Sequence, residues 1–327
     1  MILSFFDITE EERTKFSLLP SGHSYSYYVD SLTVENVKRV RNTEILYIRS
    51  FSLASATILR QLPRLRFIAT RSTGFDNIDI DYCKQNKIVI SNVPSYATNA
   101  VAEHTFGLLL SLSHNITSCV ETSRTGHYIV GPQGYDITGK TIGIVGFGNI
   151  GTRVADIAKG FNMNILVNTK HPELKSHKIK GVTFVNFQML LKSSDVISFH
   201  VPLTHETYHM LNMKNISFLK KGSVLLNTSR GEVIETKAIH WALQKNMLLG
   251  VGLDVLEEEL ALKSHESLPD SACSHVVKLN YEFMKDRRVL VTPHNAYHTK
   301  EALDTILRIS AENIAAFLKG KPINRVV

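Results

Sequence analysis

The sequence predicts an α/β protein built from two doubly wound parallel sheets. Three observations predict it. Short apolar, β-branched runs recur along almost the whole chain, and polar or amphipathic stretches the length of a helix and its loops separate them. Strands that alternate with helices pair in parallel and are covered on both faces. The 327 residues are enough for two medium domains with a core each, and the strand series breaks once, at a long apolar helix near residues 95–115.

In order, ILSFFDI, EILYIR, LRFIATR and KIVISNV read as strands of a first unit. SYATNAVAEHTFGLLLSLSHN reads as one long, largely buried helix, and GPQGYDITGK as a turn-rich approach to the next strand. TIGIV, NILVN, VTFV, DVISFH, SVLLNT, GVGLDV and VLVTP then form a second strand series. The tail KEALDTILRISAENIAAFLKGK repeats apolar residues at helical spacing.

Composition narrows the class. At 43% hydrophobic and 20% charged residues the chain is an ordinary globular protein. Its net charge of +7 comes without a dense basic run; Lys220-Lys221 and Arg287-Arg288 are isolated pairs. That argues against a nucleic-acid partner and suits small anions. The three cysteines, Cys83, Cys119 and Cys273, are far apart and lack CxxC spacing, so free thiols in a reducing compartment are expected, with no metal site. The N-terminus turns acidic at once, unlike a signal peptide. No apolar run approaches the ~18–20 residues of a membrane span. A cytoplasmic protein is the expectation.

In GIVGFGNIG (143–151) the glycines Gly146, Gly148 and Gly151 stand in GxGxxG spacing between a strand and a helix. That context makes the turn, with Asn149 and Ile150, a dinucleotide-pyrophosphate cradle. The second strand of such a unit ends, about 20 residues on, in a carboxylate that bonds the ribose 2′-hydroxyl. Here Thr169 holds that place, with Lys170 and His171 beside it, and Glu173 arrives only after Pro172. Without the carboxylate a 2′-phosphate is not repelled, so NADP(H) is expected to be accepted; the alternative is NAD held through other contacts.

Three further segments put reactive side chains beyond strand ends. LLNTSRGEVI carries Arg230, GVGLDVLEEE carries Asp254 and Glu259, and VLVTPHNAYHT carries His294. Carboxyl ends of parallel strands are where open α/β sheets bind ligands. One histidine among 14 is by itself usually structural, and two of Glu257, Glu258 and Glu259 are expected to be merely solvated. Coincidence of position gives the set its meaning.

The order GxGxxG, NTSRG, GLDVxEEE, TPHxA, with NVPSYATNAVAEHT and HVPLTHETYHMLN, resembles the D-isomer-specific 2-hydroxyacid dehydrogenase family, from RSTGFDNID through TPHNAY. The resemblance implies a Rossmann NAD(P)-binding domain over residues 100–295, inserted in a flavodoxin-like substrate domain of residues 1–99 and 296–327. It implies hydride transfer between NAD(P)H and a small 2-oxo acid, giving a D-2-hydroxy acid. Arg230 would grip the substrate carboxylate and carbonyl, helped by the backbone amides of Thr73 and Gly74. His294 would give a proton to the forming alkoxide, with Glu259 orienting its ring. Asp254 and Thr228 would lie on the nicotinamide side, Val201 and Pro202 would line the adenine pocket, and Thr207 would also contact the cofactor. Closure of the two units would complete the site.

Tyr96 and Tyr297 resemble aromatic substrate contacts of the lactate-like branch, and the long connection after Glu259 resembles that of D-lactate dehydrogenases. Pyruvate is therefore the first expectation. Glyoxylate or hydroxypyruvate reduction and a phosphoglycerate-type dehydrogenase are the alternatives. A dinucleotide-sensing, corepressor-like binding protein is the reading from another class. The leucine-rich helix around residues 100–113 is where the family dimerises, so a homodimer is expected.

Overall fold

The computed structural model describes residues 1–16, 19–172, 180–264 and 273–327. Its internal contacts divide the chain into Met1–Tyr96 with Thr299–Val327, and Ala97–His298. The sequence reading places the joints at 99/100 and 295/296.

The first unit holds five strands, β1 (Ile2–Phe5), β2 (Ser24–Tyr27), β3 (Ile45–Ile48), β4 (Phe67–Thr70) and β5 (Val89–Ser91), all parallel in the order β2-β1-β3-β4-β5. This is the flavodoxin-like order. Strand β2 is absent from the sequence reading. Its SYSY residues carry no aliphatic side chain, and it lies at the sheet edge. Every residue of β3 and β4 is buried, as a sheet covered on both faces requires. The helix Lys300–Leu318 covers one face: Phe317 stacks on Phe67 at 4.3 Å, and Leu307 and Ile314 enter the cluster of Phe5, Tyr47 and Phe67. The chain end then returns to β5, where Val326 N donates to Ile90 O at 2.8 Å.

The second unit holds β6 (Thr141–Val145), β7 (Asn164–Asn168), β8 (Thr183–Phe184), β9 (Val196–Phe199), β10 (Ser223–Asn227), β11 (Leu248–Leu253) and β12 (Val289–Val291). They lie parallel in the order β12-β11-β10-β9-β6-β7-β8. The chain winds outward from β6 through β8, then resumes on the other side of β6 with β9. That reversal is the switch point at which doubly wound sheets bind ligands. The helix Thr98–Ser113 buries Val101, Phe106, Leu108 and Leu109 in this unit. It can approach β11 closely because β11 carries Gly252, where a Cβ would stand 3.1 Å from Leu108 Cβ and 2.9 Å from Leu226 Cδ2. Among the described residues no helix is long and apolar enough to cross a membrane.

One charge pair ties the first unit's β4 to its first helix, Glu10–Lys15. Arg71, 2% exposed, donates to both oxygens of Glu12 at 3.0 and 2.5 Å and to Asp7 O at 3.3 Å. Glu12 also closes a capping box with Thr9. Burial opposes the charge on Glu12, but the hydrogen bond and charge of Arg71 outweigh it and hold the carboxyl below its usual value of 4.5. A lowered folded-state pKa stabilises fully above the unfolded value and is lost as pH falls through the folded one. Glu12→Ala, which strands a buried guanidinium, is therefore expected to cost about 3–5 kcal/mol near neutrality. The difference from wild type in thermal melting should shrink below pH 4.5.

Candidate active site

At the switch point the chain turns from β6 into the helix Asn149–Gly160. Gly146 has φ +94°, and a Cβ there would stand 2.5 Å from His200 O; at Gly151 it would stand 2.1 Å from Gly146 O. Backbone packing thus demands both glycines. Gly148 differs: its φ of −79° suits any residue, and a Cβ would meet no protein atom within 4 Å. What needs its missing side chain is a ligand approaching the helix N-terminus, where the N–H groups that follow Gly148 have no intrahelical acceptor. A dinucleotide pyrophosphate fits this cradle of Gly146, Gly148, Asn149, Ile150 and Gly151. The ring of His200, whose Nε2 lies 2.8 Å from Ser198 Oγ, is pushed down to about 3 by burial and is neutral.

Strand β7 ends at Asn168, whose amide donates to Val185 O at 3.1 Å. Thr169 follows, half-buried, and then exposed Lys170, which bonds both oxygens of Glu206 at 2.8 and 2.7 Å. Glu206 belongs to the loop after β9, together with Val201, Pro202 and Thr207. Thr207 Oγ1 shapes that loop by donating to Pro202 O at 2.6 Å and accepting from Thr204 N at 2.8 Å. Glu173, and residues 265–272 of the long connection after Glu259, lie outside the described residues.

Beyond β10, Asn227 braces the Arg230 turn: its Nδ2 donates to Arg230 O at 2.9 Å, and its Oδ1 accepts from Ser229 N at 3.1 Å. Thr228 lies buried with its hydroxyl 3.1 Å from that of Thr105. At Gly231 a Cβ would stand 2.0 Å from the carbonyl carbon of Leu256, so the arginine turn rests directly on the backbone after β11. Glu257, just beyond, is 7% exposed; it takes His209 Nε2 at 2.6 Å and Thr236 N at 2.6 Å. The expectation that two of the three glutamates are only solvated is corrected here. Glu258 is exposed and accepts from Ser274, Glu257 is a buried bridge, and Glu259 faces His294. Burial, then the charges of Glu257 and Glu259, raise the carboxyl of Glu232 above its usual value, against its own backbone N–H and Arg230.

His294 follows β12 with φ +53°, a left-handed conformation that few non-glycine residues adopt, although histidine does so more often than most. Asp254, 2% exposed at the end of β11, holds it there. Its backbone oxygen accepts from His294 N at 2.8 Å; its carboxylate accepts from Thr292 Oγ1 at 2.6 Å, Asn295 N at 2.7 Å and Ala296 N at 3.0 Å. His104 reaches the same cluster, 3.0 Å from Thr292 Oγ1. So placed, His294 Nδ1 lies 3.0 Å from each oxygen of Glu259. Nδ1 therefore carries the proton given to Glu259, and Nε2 has no hydrogen-bond partner among the described residues. Tyr297 packs against the ring at 6.2 Å. A cavity of about 730 Å³ opens beside them, lined by His104, Leu108, Asp254, Glu259, Leu262 and His294.

Thr73, Gly74 and Tyr96 belong to the first unit. Their loop is braced by Thr73 Oγ1 to Val93 O at 2.9 Å and Asn92 Nδ2 to Thr73 O at 2.8 Å.

Residues 106–296 match the model of the D-isomer-specific 2-hydroxyacid dehydrogenase NAD-binding domain. The chain belongs to that family. It is thus an NAD-binding oxidoreductase, and its two parallel-sheet units have the family's architecture. It is 35% identical over 293 residues to glyoxylate reductase of Thermococcus litoralis, covering 87% of this chain and 83% of the relative. D-Lactate dehydrogenase of Aquifex aeolicus, solved with NAD and lactic acid, superposes with a TM-score of 0.87 at 32% identity, over 97% of this chain and 96% of that one. An acyclic imino acid reductase solved with NADPH and D-Arg gives 0.83 at 29% identity, over 100% of both chains.

Sequence reading missed four partners: His209 and Glu257 under the arginine turn, His104 behind Asp254, and Glu206 on Lys170. His209 and Glu257 stand inside quoted motifs, but nothing local joins residues 48 positions apart. Gly231→Ala in this dehydrogenase is expected to push the arginine turn off Leu256 at a cost of about 1–3 kcal/mol. A lowered thermal midpoint together with reduced turnover would register that; an unchanged midpoint would contradict the contact.

Proposed function

We propose that the protein reduces a small 2-oxo acid to the D-2-hydroxy acid at the expense of NADH, as a D-lactate dehydrogenase-like enzyme with pyruvate as substrate. The observation that carries this reading is the His294–Glu259 pair, one ring nitrogen engaged by both carboxylate oxygens and the other without a hydrogen-bond partner among the described residues. Bound NADH supplies the hydride. His294 holds at Nε2 the proton that the reduced carbonyl oxygen takes up, and Glu259 fixes the ring and balances its charge. Arg230, whose turn is locked by Asn227 and Gly231, offers a planar fork to the substrate carboxylate. Asp254 and Thr228 shape the nicotinamide side, and Tyr297 limits the room for the substrate's side chain.

A second reading, reduction of glyoxylate or hydroxypyruvate, is favoured by the similarity to an archaeal glyoxylate reductase. NADPH is used as well as NADH: Thr169 and Lys170 follow β7 where a carboxylate would stand, and a neighbour of the same fold holds NADPH. A second copy of the chain covers the exposed apolar residues Ile116, Val120, Tyr128, Ile129 and Val130.

The test follows dinucleotide absorbance with pyruvate, glyoxylate and hydroxypyruvate, with the chirality of the product assayed. Pyruvate should give D-lactate, and His294→Ala should lower kcat by about 10²–10⁴-fold. Tight dinucleotide binding with no turnover of any 2-oxo acid would instead favour a dinucleotide sensor.

A further inference from the structure

Strands β7 and β9 flank β6 on opposite sides. Lys170 follows β7 and Glu206 lies in the loop after β9, so their ion pair spans the carboxyl end of β6, where the glycine turn begins. A dinucleotide whose pyrophosphate sits on that turn places its adenosine ribose beside the end of the second strand. At that position the described residues present a carboxylate and an ammonium in contact. The carboxyl of Glu206 is held low by the hydrogen bond and charge of Lys170, and His171 and His205 stand nearby.

We propose that the Lys170–Glu206 ion pair sets the ratio of NADPH to NADH use, with Glu206 supplying across the switch point the carboxylate that β7 lacks. The proposal rests on the dinucleotide-dependent reading above. With the pair closed, Lys170 and Glu206 offset each other's charge, and Glu206 can accept a bond from a 2′-hydroxyl. A 2′-phosphate carries up to about two negative charges. It gains Lys170 only by opening the pair, and then has the freed Glu206 carboxylate as a like-charged neighbour. Both side chains are about two-thirds exposed, 67% and 66%, so opening costs little and the balance is easily shifted by mutation. The two residues stand 36 positions apart in sequence, so the missing acid of β7 is replaced by an element that β7's own sequence does not contain.

The test titrates the intact protein with NADH and with NADPH, reading binding by nucleotide fluorescence, and measures kcat/KM for both with a reducible 2-oxo acid. Glu206→Gln removes the charge and keeps the shape, at an exposed site. It is expected to raise the preference for NADPH over NADH about tenfold or more, in dissociation constants as in kcat/KM. Lys170→Gln is expected to move the ratio the other way. Ratios that stay at the wild-type value in both variants overturn the proposal. Binding is read without turnover, so the two readings fail separately. A shifted binding ratio in a protein that reduces no 2-oxo acid sinks the proposed reaction and leaves this inference standing. Failure of either dinucleotide to bind sinks both.

Discussion

The candidate site hangs on the carboxylate of Asp254. It is buried at the end of β11 and, among the described residues, accepts hydrogen bonds from Thr292, Asn295 and Ala296 of the loop that carries His294, with His104 Nε2 3.5 Å away. Hydrogen bonds to a charged group contribute about 1.5–3 kcal/mol each. A side chain held in a sparsely populated backbone region costs about 1–3 kcal/mol. Three such bonds outweigh the left-handed conformation of His294 and make it the stable one. The strain is thereby converted into aim, because that conformation turns Nδ1 toward Glu259.

The same economy of means recurs around the sheet rim. Gly146, Gly151 and Gly231 each let one backbone run at a distance no Cβ would permit, against His200, Gly146 and Leu256. Loops packed backbone to backbone have few alternative positions, so side chains on them are placed within tight limits. Asn227 and Glu257 add polar braces under the arginine turn, and Thr207 does the same under the loop after β9. Parallel order then brings the rims of β6, β9, β10, β11 and β12 together along one edge of the second unit's sheet.

Much of this was legible in the sequence because it is encoded locally. Strands such as LRFIATR and SVLLNT are apolar and short, and the glycine spacing of GFGNIG is unambiguous between a strand and a helix. The pattern failed where a segment's structure depends on a neighbour. SYSY becomes β2 because β1 offers it a parallel edge, not because its own residues are strongly apolar. Glu257 looked like one solvated charge in a run of three; its burial comes from His209 and Thr236, which lie elsewhere in the chain. The end of β7 read as lacking an acid, and only the folded switch point brings Glu206 to Lys170. Motifs pointed to candidate residues, while the partners that hold them in place emerged from topology.

The most direct test of the Asp254 clamp is the crystal structure of the Asp254→Ala variant. The account predicts that the loop after β12 relaxes, that His294 leaves its left-handed conformation, and that Nδ1 no longer lies within hydrogen-bonding distance of Glu259. A loop that keeps its conformation, with His294 still bonded to Glu259 at 3.0 Å, would contradict it.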